Sequence, residues 1–590
     1  MIGSLHPALL PLIGSLIVPF LQGRARQAFL LIVPVASLLN LLLLPDNLEM
    51  TATFMGQSLV LAQMSKMSFI FGLLFHLALI VAVVYSLHVE DRWQSIASLM
   101  YPGAAIAAAF AGDFMTLFAS WEILAVSSVL FIWARGTEES LKAGNRYFFQ
   151  QIVSGLLILA GIGLRLQSGG DLFIADFALD RNGRWLGCLT NELLGTETNG
   201  LPSASSVCIL LGIGIKCAFP FLHTWLVDGY ASSTHAGPVF LCAFTTKVAV
   251  CTLARCFAGA DILITIGAVM ATFPIFYAVI ENDLRRVLCY SKINQIGFMV
   301  VGIGIGTATG VNGAVAHAFS HVFYKGLLFM TMGAVLFRTG KIGGNELGGL
   351  YKSMPWTTGF CMVGAAAISA FPLFSGFISK SLIMKAAYDA DHNVVFFLLL
   401  FAAAGVFHHA GIKIPFFAFF AHDSKQRVKE APLNMRVAMG MNAFLCIGLG
   451  IGYKLLYAYL PLPWVDGKTP GMYGWGHISE QMQILFFSAL AFTSLMLWKQ
   501  YPPELPSVNL DADWFLRKGW KHTHAFIVGP LDRMGTYFSN LVLDRAPRAI
   551  AGVHPIEAAK KRLDANWMLS APTVIVMIAL LGFLVLNYAR

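Results

Sequence analysis

The 590-residue chain is short of charge: Asp, Glu, Lys and Arg make up 12% of it, against 57% apolar residues. That is about half the charged fraction of an ordinary soluble domain, which excludes a chain solvated along its whole length. It has no basic block either. Its 40 Lys and Arg exceed its 31 Asp and Glu by nine, but the cations stand in short gaps between apolar runs. Orientation in a membrane accounts for them there, and no nucleic-acid groove is needed. The nine cysteines, among them Cys208, Cys217, Cys242, Cys251, Cys361 and Cys446, include no CxxC pair and lie mostly inside apolar runs. Neither a disulfide frame nor a zinc or iron–sulfur site is signalled, and no metal or cofactor is expected. The first apolar run has no cation before it and Arg24 and Arg26 after it, the reverse of a cleavable signal peptide; it reads as a first membrane helix.

What the chain does have is apolar runs of about 20 residues, enough to cross a ~30 Å hydrocarbon layer. Read between charged or Gly/Pro-rich breaks, they give sixteen spans: 4–22, 27–45, 68–88, 96–111, 113–134, 145–166, 204–227, 235–257, 261–281, 288–306, 311–337, 357–386, 394–421, 435–459, 481–498 and 570–588. Loops after odd-numbered spans collect most of the cations, Arg92, Arg135, Arg285, Arg286, Arg338 and Arg427 among them. Loops after even-numbered spans hold only Lys66, Arg181, Arg184 and Lys468. By the positive-inside rule this is a multi-pass protein of the cell inner membrane with both termini outside the cytoplasm. Loop 167–203, with Asp171, Asp176, Asp180, Glu192 and Glu197, reads as external.

A few residues break the apolar pattern far from any span end: Glu122, Lys216, Lys247, Lys325 and Lys413. Each costs about 2.5–3.5 kcal/mol at a span centre on insertion scales, so five unpaired charges would cost on the order of 15 kcal/mol. Four lysines against one glutamate leave surplus cations that need water, proton loss or histidine neighbours. Desolvation lowers a lysine pKa from ~10.4 by up to 3–5 units, and a carboxylate at 4 Å restores about three of them. A Glu122–Lys216 pair that opens and closes would therefore load and release a proton. His317, His321 and Lys325 recur every four residues and form one helical stripe rising ~12 Å, a geometry suited to a proton relay with imidazoles as shuttles. A metal or haem site at the two histidines is the competing reading; a cation in the third position and the lack of a carboxylate or Cys ligand speak against it. His409 and Lys413 repeat the spacing as a candidate relay, whereas His408 reads as a packed core histidine.

Two prolines fall beside these charges. Pro220 lies four residues after Lys216, and Pro372, followed by Gly376, precedes Lys380. A helix broken at the depth of a charge is tolerated where it lines a hydrated cavity. The order of charged and broken helices in 113–257 is partly echoed in 288–421, as two inverted five-helix repeats would produce. The expected organisation is N-terminal helices over 1–95, repeats over 96–257 and 258–421, and C-terminal core helices over 422–498. A polar segment follows over 499–569, expected on the cytoplasmic side, with an amphipathic piece at 523–543 that reads either as an interfacial helix or as a solvated linker, and a last span lies in 570–590.

Six stretches carry a resemblance: FASWEILAVSS around Glu122, GIKCAFPFLHTWLVD around Lys216, FTTKVAV around Lys247, DLRRVLCYSKINQIGF from Asp283, HAFSHVFYKGLLF from His317, and FPLFSGFISK ending at Lys380. They resemble the antiporter-like subunits shared by respiratory complex I, membrane-bound hydrogenases and the multiple-resistance-and-pH (Mrp) type of cation/proton antiporter, most closely over 110–385. The resemblance implies an all-α polytopic membrane protein of about fourteen core helices with two inverted five-helix repeats, plus C-terminal helices to about sixteen. It implies that Glu122 pairs with Lys216 as a loading switch, that Lys247 passes the proton on, that His317, His321 and Lys325 form the central relay, and that Lys380 is the terminal lysine. Phe371, Cys289 and Lys292 depart from the usual glycine, alanine and serine. The function expected is a proton-translocating component of a multi-subunit antiporter, similar to the Mrp D subunit, with other membrane subunits as partners and protons with either Na+ or K+ as cargo. A proton-pumping component of complex I or a hydrogenase, powered by electron transfer, is the alternative within the same fold. A cofactor-bearing oxidase using His317 and His321, or a solute symporter, is the alternative outside it.

Overall fold

The computed structural model describes residues 5–54, 57–196, 200–464, 467–505, 509–512 and 514. The expected span 570–588 and the amphipathic piece 523–543 lie outside these. Residues up to 512 pack as one unit, and each of the other expected spans falls on helix. In chain order these are α1 (Leu9–Ile17), α2 (Gly23–Leu42), a hairpin of β1 (Glu49–Phe54) and β2 (Gln57–Gln63), α3 (Lys66–Ser86), α4 (Arg92–Phe110), α5 (Phe114–Trp133) and α6 (Glu138–Gln167). The acidic loop holds β3 (Ala178–Leu179), β4 (Trp185–Leu186) and α7 (Thr190–Leu194). Then come α8 (Ala204–Cys217), α9 (Thr224–Ser232), α10 (Gly237–Ala243), α11 (Thr245–Phe257), α12 (Ile262–Ile280), α13 (Leu284–Ile305) and α14 (Ala308–Thr339). The described part ends with α15 (Pro355–Ile368), α16 (Ser375–Asp389), α17 (Asn393–Val406), α18 (Leu433–Ile451), α19 (Tyr453–Ala458) and α20 (Trp475–Leu497). Eleven helical stretches among the described residues are long and apolar enough to cross a membrane, with α10–α11 counted as one. The protein is an all-α polytopic membrane protein. Its chain is helical where it is apolar because lipid offers the backbone no hydrogen bonds, so each segment satisfies its own.

Helix starts are marked by short polar side chains. Asp113 caps α5, accepting from Thr116 N at 2.7 Å, and also accepts from Val60 N of the hairpin at 2.7 Å. Asp283 caps α13 in the same manner, accepting from Arg285 N at 2.7 Å. Each aspartate also pairs across to a later loop, Asp113 with Phe173 and Asp283 with Gly343. The β1–β2 hairpin is thus tied to the turn before α5. The sequence does not announce it, because a short Thr-rich stretch between two apolar runs has no feature separating it from a loop.

Two helices are interrupted by the same local device. Between α8 and α9 the chain reads Ala218-Phe219-Pro220-Phe221, and between α15 and α16 it reads Ala370-Phe371-Pro372-Leu373. In each, the alanine and the residue after proline are left-handed, with φ of +61° and +67° in the first and +60° and +74° in the second. Proline cannot continue the ladder, and two left-handed residues turn the chain sharply enough for helix to restart.

Two further irregularities carry no such signal. The expected single span 235–257 is divided at Phe244 into α10 and α11. Here Tyr101 OH accepts at 3.0 Å from the Thr245 N–H freed by the break and lies 2.7 Å from Thr245 Oγ1. After α17 the helix widens to π geometry over Phe407–Lys413 and Phe416–Phe420, on either side of Pro415, whose missing N–H removes one rung.

Helices α10, α11, α13 and α14 occupy the centre, and α20 and α2 the periphery. Close approach of α12 and α13 rests on two glycines: a Cβ on Gly297 would lie 2.4 Å from Ala271 N, and one on Gly267 2.6 Å from Val301 N. Small residues at such crossings let backbones pack where lipid supplies no hydrophobic drive.

Candidate functional site

The central helices hold a row of basic side chains sealed from the surface. Lys216, Lys247, Lys292, His317, His321, Lys325, His409 and Lys413 are fully buried, and Lys380 is 2% exposed. Two of the lysines stand beside the interruptions. Lys216 stands two residues before Ala218 and donates to Trp121 O at 2.8 Å, its ammonium 4.4 Å from the Trp121 ring. Lys380 stands beyond the second interruption and reaches back to donate to Ile368 O at 2.6 Å. Ile368 holds the place before Ala370 that Lys216 holds before Ala218. The second break thus receives an ammonium from its following half-helix, whereas the lysine beside the first break turns its ammonium to α5.

Between them lies α14. Lys247, one turn into α11, meets His321 at 2.7 Å between Nζ and Nδ1. Two positive charges at that distance would repel by about 6 kcal/mol at an effective dielectric of 20, so the pair holds at most one charge at a time. His317 is engaged at both nitrogens, Nδ1 with Ser379 Oγ at 2.9 Å and Nε2 with Tyr324 OH at 3.3 Å, and Tyr324 OH continues to Gln295 Oε1 at 3.2 Å. His321 Nε2 and Lys325 Nζ are buried without a hydrogen-bond partner. An ammonium in that position requires water or the loss of its proton. Because three of the four ring nitrogens of His317 and His321 are already committed, the two rings are not disposed to share a metal or haem.

Two expected residues have partners that the sequence does not show. Glu122 and Lys216 interact electrostatically but are not in ion-pair contact: Glu122 is half-buried where α5 packs on Gly155 of α6, and a Cβ there would collide with its carboxylate. Its Oε1 has no partner, and Lys216 instead bonds the carbonyl of the residue beside it. Lys413 is not isolated in mid-span. It donates to Val279 O at 2.7 Å and Glu281 O at 2.6 Å, where α12 ends, and lies 2.9 Å from Glu504 Oε1. His408 packs on Tyr501 and Phe492, at ring distances of 5.5 and 5.1 Å.

Sequence reasoning passes over Lys292, which donates to Cys242 O at 2.9 Å beside the Tyr230 ring. In the sequence it stands out only as a departure from serine; its distance into the span, four residues, is the available signal. Tyr324, seven residues after His317 and therefore on the same helix face, is equally within reach.

A family profile described as NADH:quinone oxidoreductase/Mrp antiporter, TM, matches residues 111–448, a stretch that contains the whole row and both interruptions. Hydrogenase-4 component B of Escherichia coli is 26% identical over 58% of this chain and 53% of its own length. The D subunit of the Na+/H+ antiporter of Alkalihalophilus pseudofirmus is 27% identical over 55% of this chain and 65% of its own. The chain thus spans between half and two thirds of the length of these relatives. In the solved structure of the Mrp complex from Dietzia sp., one chain shares the fold at a TM-score of 0.75 and 19% identity, covering 93% of this chain and 63% of that one.

Proposed function

Because the chain belongs to the NADH:quinone oxidoreductase/Mrp antiporter transmembrane family, we propose that it is the proton-translocating, D-like subunit of a multi-subunit monovalent cation/proton antiporter. The observation that carries this reading is the Lys247–His321 contact at 2.7 Å, two buried bases midway along a basic row that cannot both be charged. In this reading Lys216 gains a proton when the Glu122 carboxylate approaches and loses it when that carboxylate withdraws. Lys247 passes it to His321, and the His317–Tyr324–Gln295 chain and Lys325 relay it towards Lys380. His409 and Lys413 form the far branch. The twin Ala-Phe-Pro interruptions and the twin aspartate caps support two inverted repeats over 96–257 and 258–421. The protein is assigned to the cell inner membrane with both termini outside the cytoplasm. It works with other membrane subunits and exchanges protons for Na+ or K+.

Substituting Lys216→Ala tests the reading. Cation-dependent proton movement in inverted vesicles is expected to fall at least tenfold with the chain still present in the membrane, and wild-type movement would remove the relay. Isolation of the complex in mild detergent separates the antiporter from a redox-driven pump, since the pump would bring iron–sulfur companions and the antiporter only small hydrophobic ones.

A further inference from the structure

The chain that leaves α20 carries polar side chains back into the bundle. Glu504 lies against Lys413, Asn509 Nδ2 donates to Glu281 Oε2 at 2.9 Å, and Asp511 accepts from Tyr290 OH at 2.7 Å while standing 3.1 Å from His223 Nε2. Tyr290 is the seventh residue of α13, so at ~1.5 Å per residue Asp511 is held about 9 Å inside that helix end. His223 gives the same depth: its ring packs 4.9 Å from that of Phe273, seven residues before α12 ends. The aspartate side chain is 9% exposed and the histidine 3%. A carboxylate brought to that depth by a non-helical strap is costly unless it serves the bundle.

His223 immediately precedes α9, across the interruption from Lys216. One of its nitrogens faces Asp511, while Nδ1 is buried and has no partner. A histidine held at one nitrogen and open at the other is arranged to take a proton on one side and release it on the other. We propose that Asp511 and His223 are a proton-exchange pair that loads the interrupted helix of Lys216 from the side on which α12 ends; this rests on the proton-translocation reading above.

The step balances without a co-reactant. Asp511 Oδ takes a proton from water and forms an O–H bond. That bond breaks as His223 Nε2 forms its N–H; the Nδ1–H bond of the imidazolium then breaks as the neutral amine of Lys216 takes that proton, and rotation of the ring restores the starting tautomer. Tyr290 OH holds the carboxylate in register. The other titratable groups around the pair are Tyr277 of α12, stacked on Tyr290 at 5.2 Å, with Glu281 and Arg286 nearby. Burial opposes ionisation of Asp511, but its hydrogen bonds with His223, Tyr290 and Ala512 N outweigh it and leave the carboxyl below its ordinary range.

The test uses the full complex in inverted vesicles, with assembly followed on native gels. Asp511→Asn is expected to slow proton movement at least tenfold in an assembled complex. Tyr290→Phe, which removes one hydroxyl, is expected to keep most of the maximal rate but to move the acid-side inflection of the rate up by about one pH unit, because the carboxylate loses a donor. Wild-type rates in Asp511→Asn, or a Tyr290→Phe profile superimposable on wild type, overturn the proposal. Should Asp511→Asn not assemble, the Tyr290→Phe profile decides alone. Lys216→Ala run alongside separates the two ideas. A dead Lys216→Ala with a normal Asp511→Asn removes only the exchange pair, and an active Lys216→Ala removes the relay on which it rests.

Discussion

At the scale of single residues two members of the row stand apart by what they lack. Lys325 Nζ and His321 Nε2 have no protein partner among the described residues, although both are fully buried. A group whose role was to hold helices together would be hydrogen-bonded, since an unmet buried donor costs about 1–3 kcal/mol and a charged one more. Lys325→Arg is the discriminating change: guanidinium keeps its charge at any working pH. Proton movement measured by a pH-sensitive dye is expected to drop at least tenfold, and near-normal turnover would make Lys325 a structural residue. These buried charges were legible in the sequence because a lysine in a 20-residue apolar run has few bland explanations. Their partners were not. Depth along a helix says nothing about which way a side chain faces, and Glu122, central in its span, lies over Gly155 of α6.

At the scale of elements the two Ala-Phe-Pro interruptions are the clearest local code in the molecule, and proline made both readable. The break at Phe244 was not readable, because it contains neither proline nor glycine and is maintained by Tyr101, more than a hundred residues away. The left-handed alanines make a separable prediction. Ala218 and Ala370 hold φ near +60°, where an alanine costs about 1–2 kcal/mol that a glycine does not, and a β-branched residue costs more. Ala218→Gly and Ala370→Gly are expected to unfold in detergent no earlier than wild type, whereas Ala218→Val and Ala370→Val unfold earlier by roughly 2 kcal/mol or more. Equal stability in the valine variants would mean that the turns relax.

At the scale of the whole molecule, spans and cations were legible and the returning strap was not, because its contacts join residues nearly 300 positions apart. Its two carboxylates respond oppositely to acid. Burial raises the Glu504 carboxyl, against the pull of Lys413, so its share of docking is present below the free value of ~4.3 and is lost as pH rises through the docked one. Asp511 is held below the free value of ~3.9, so its share is present above that value and is lost as pH falls through the docked one. The strap is therefore expected to hold best in mildly acid solution and to loosen on further acidification. Protease cleavage after Tyr501, followed from pH 7 to pH 3, checks this, and a monotonic profile would contradict it. In Asp511→Asn the loosening at low pH should disappear.

The contact between Lys247 and His321 has a further consequence for how such a row conducts. Neighbours that refuse double occupancy hold fewer protons than sites, and the mobile species is then the vacancy: each forward hop of a proton is a backward hop of an empty base. Traffic of this kind stops when one site is permanently full, wherever along the line it sits. A single fixed charge anywhere in the row would jam all of it, much as one trapped hole halts a narrow semiconductor wire.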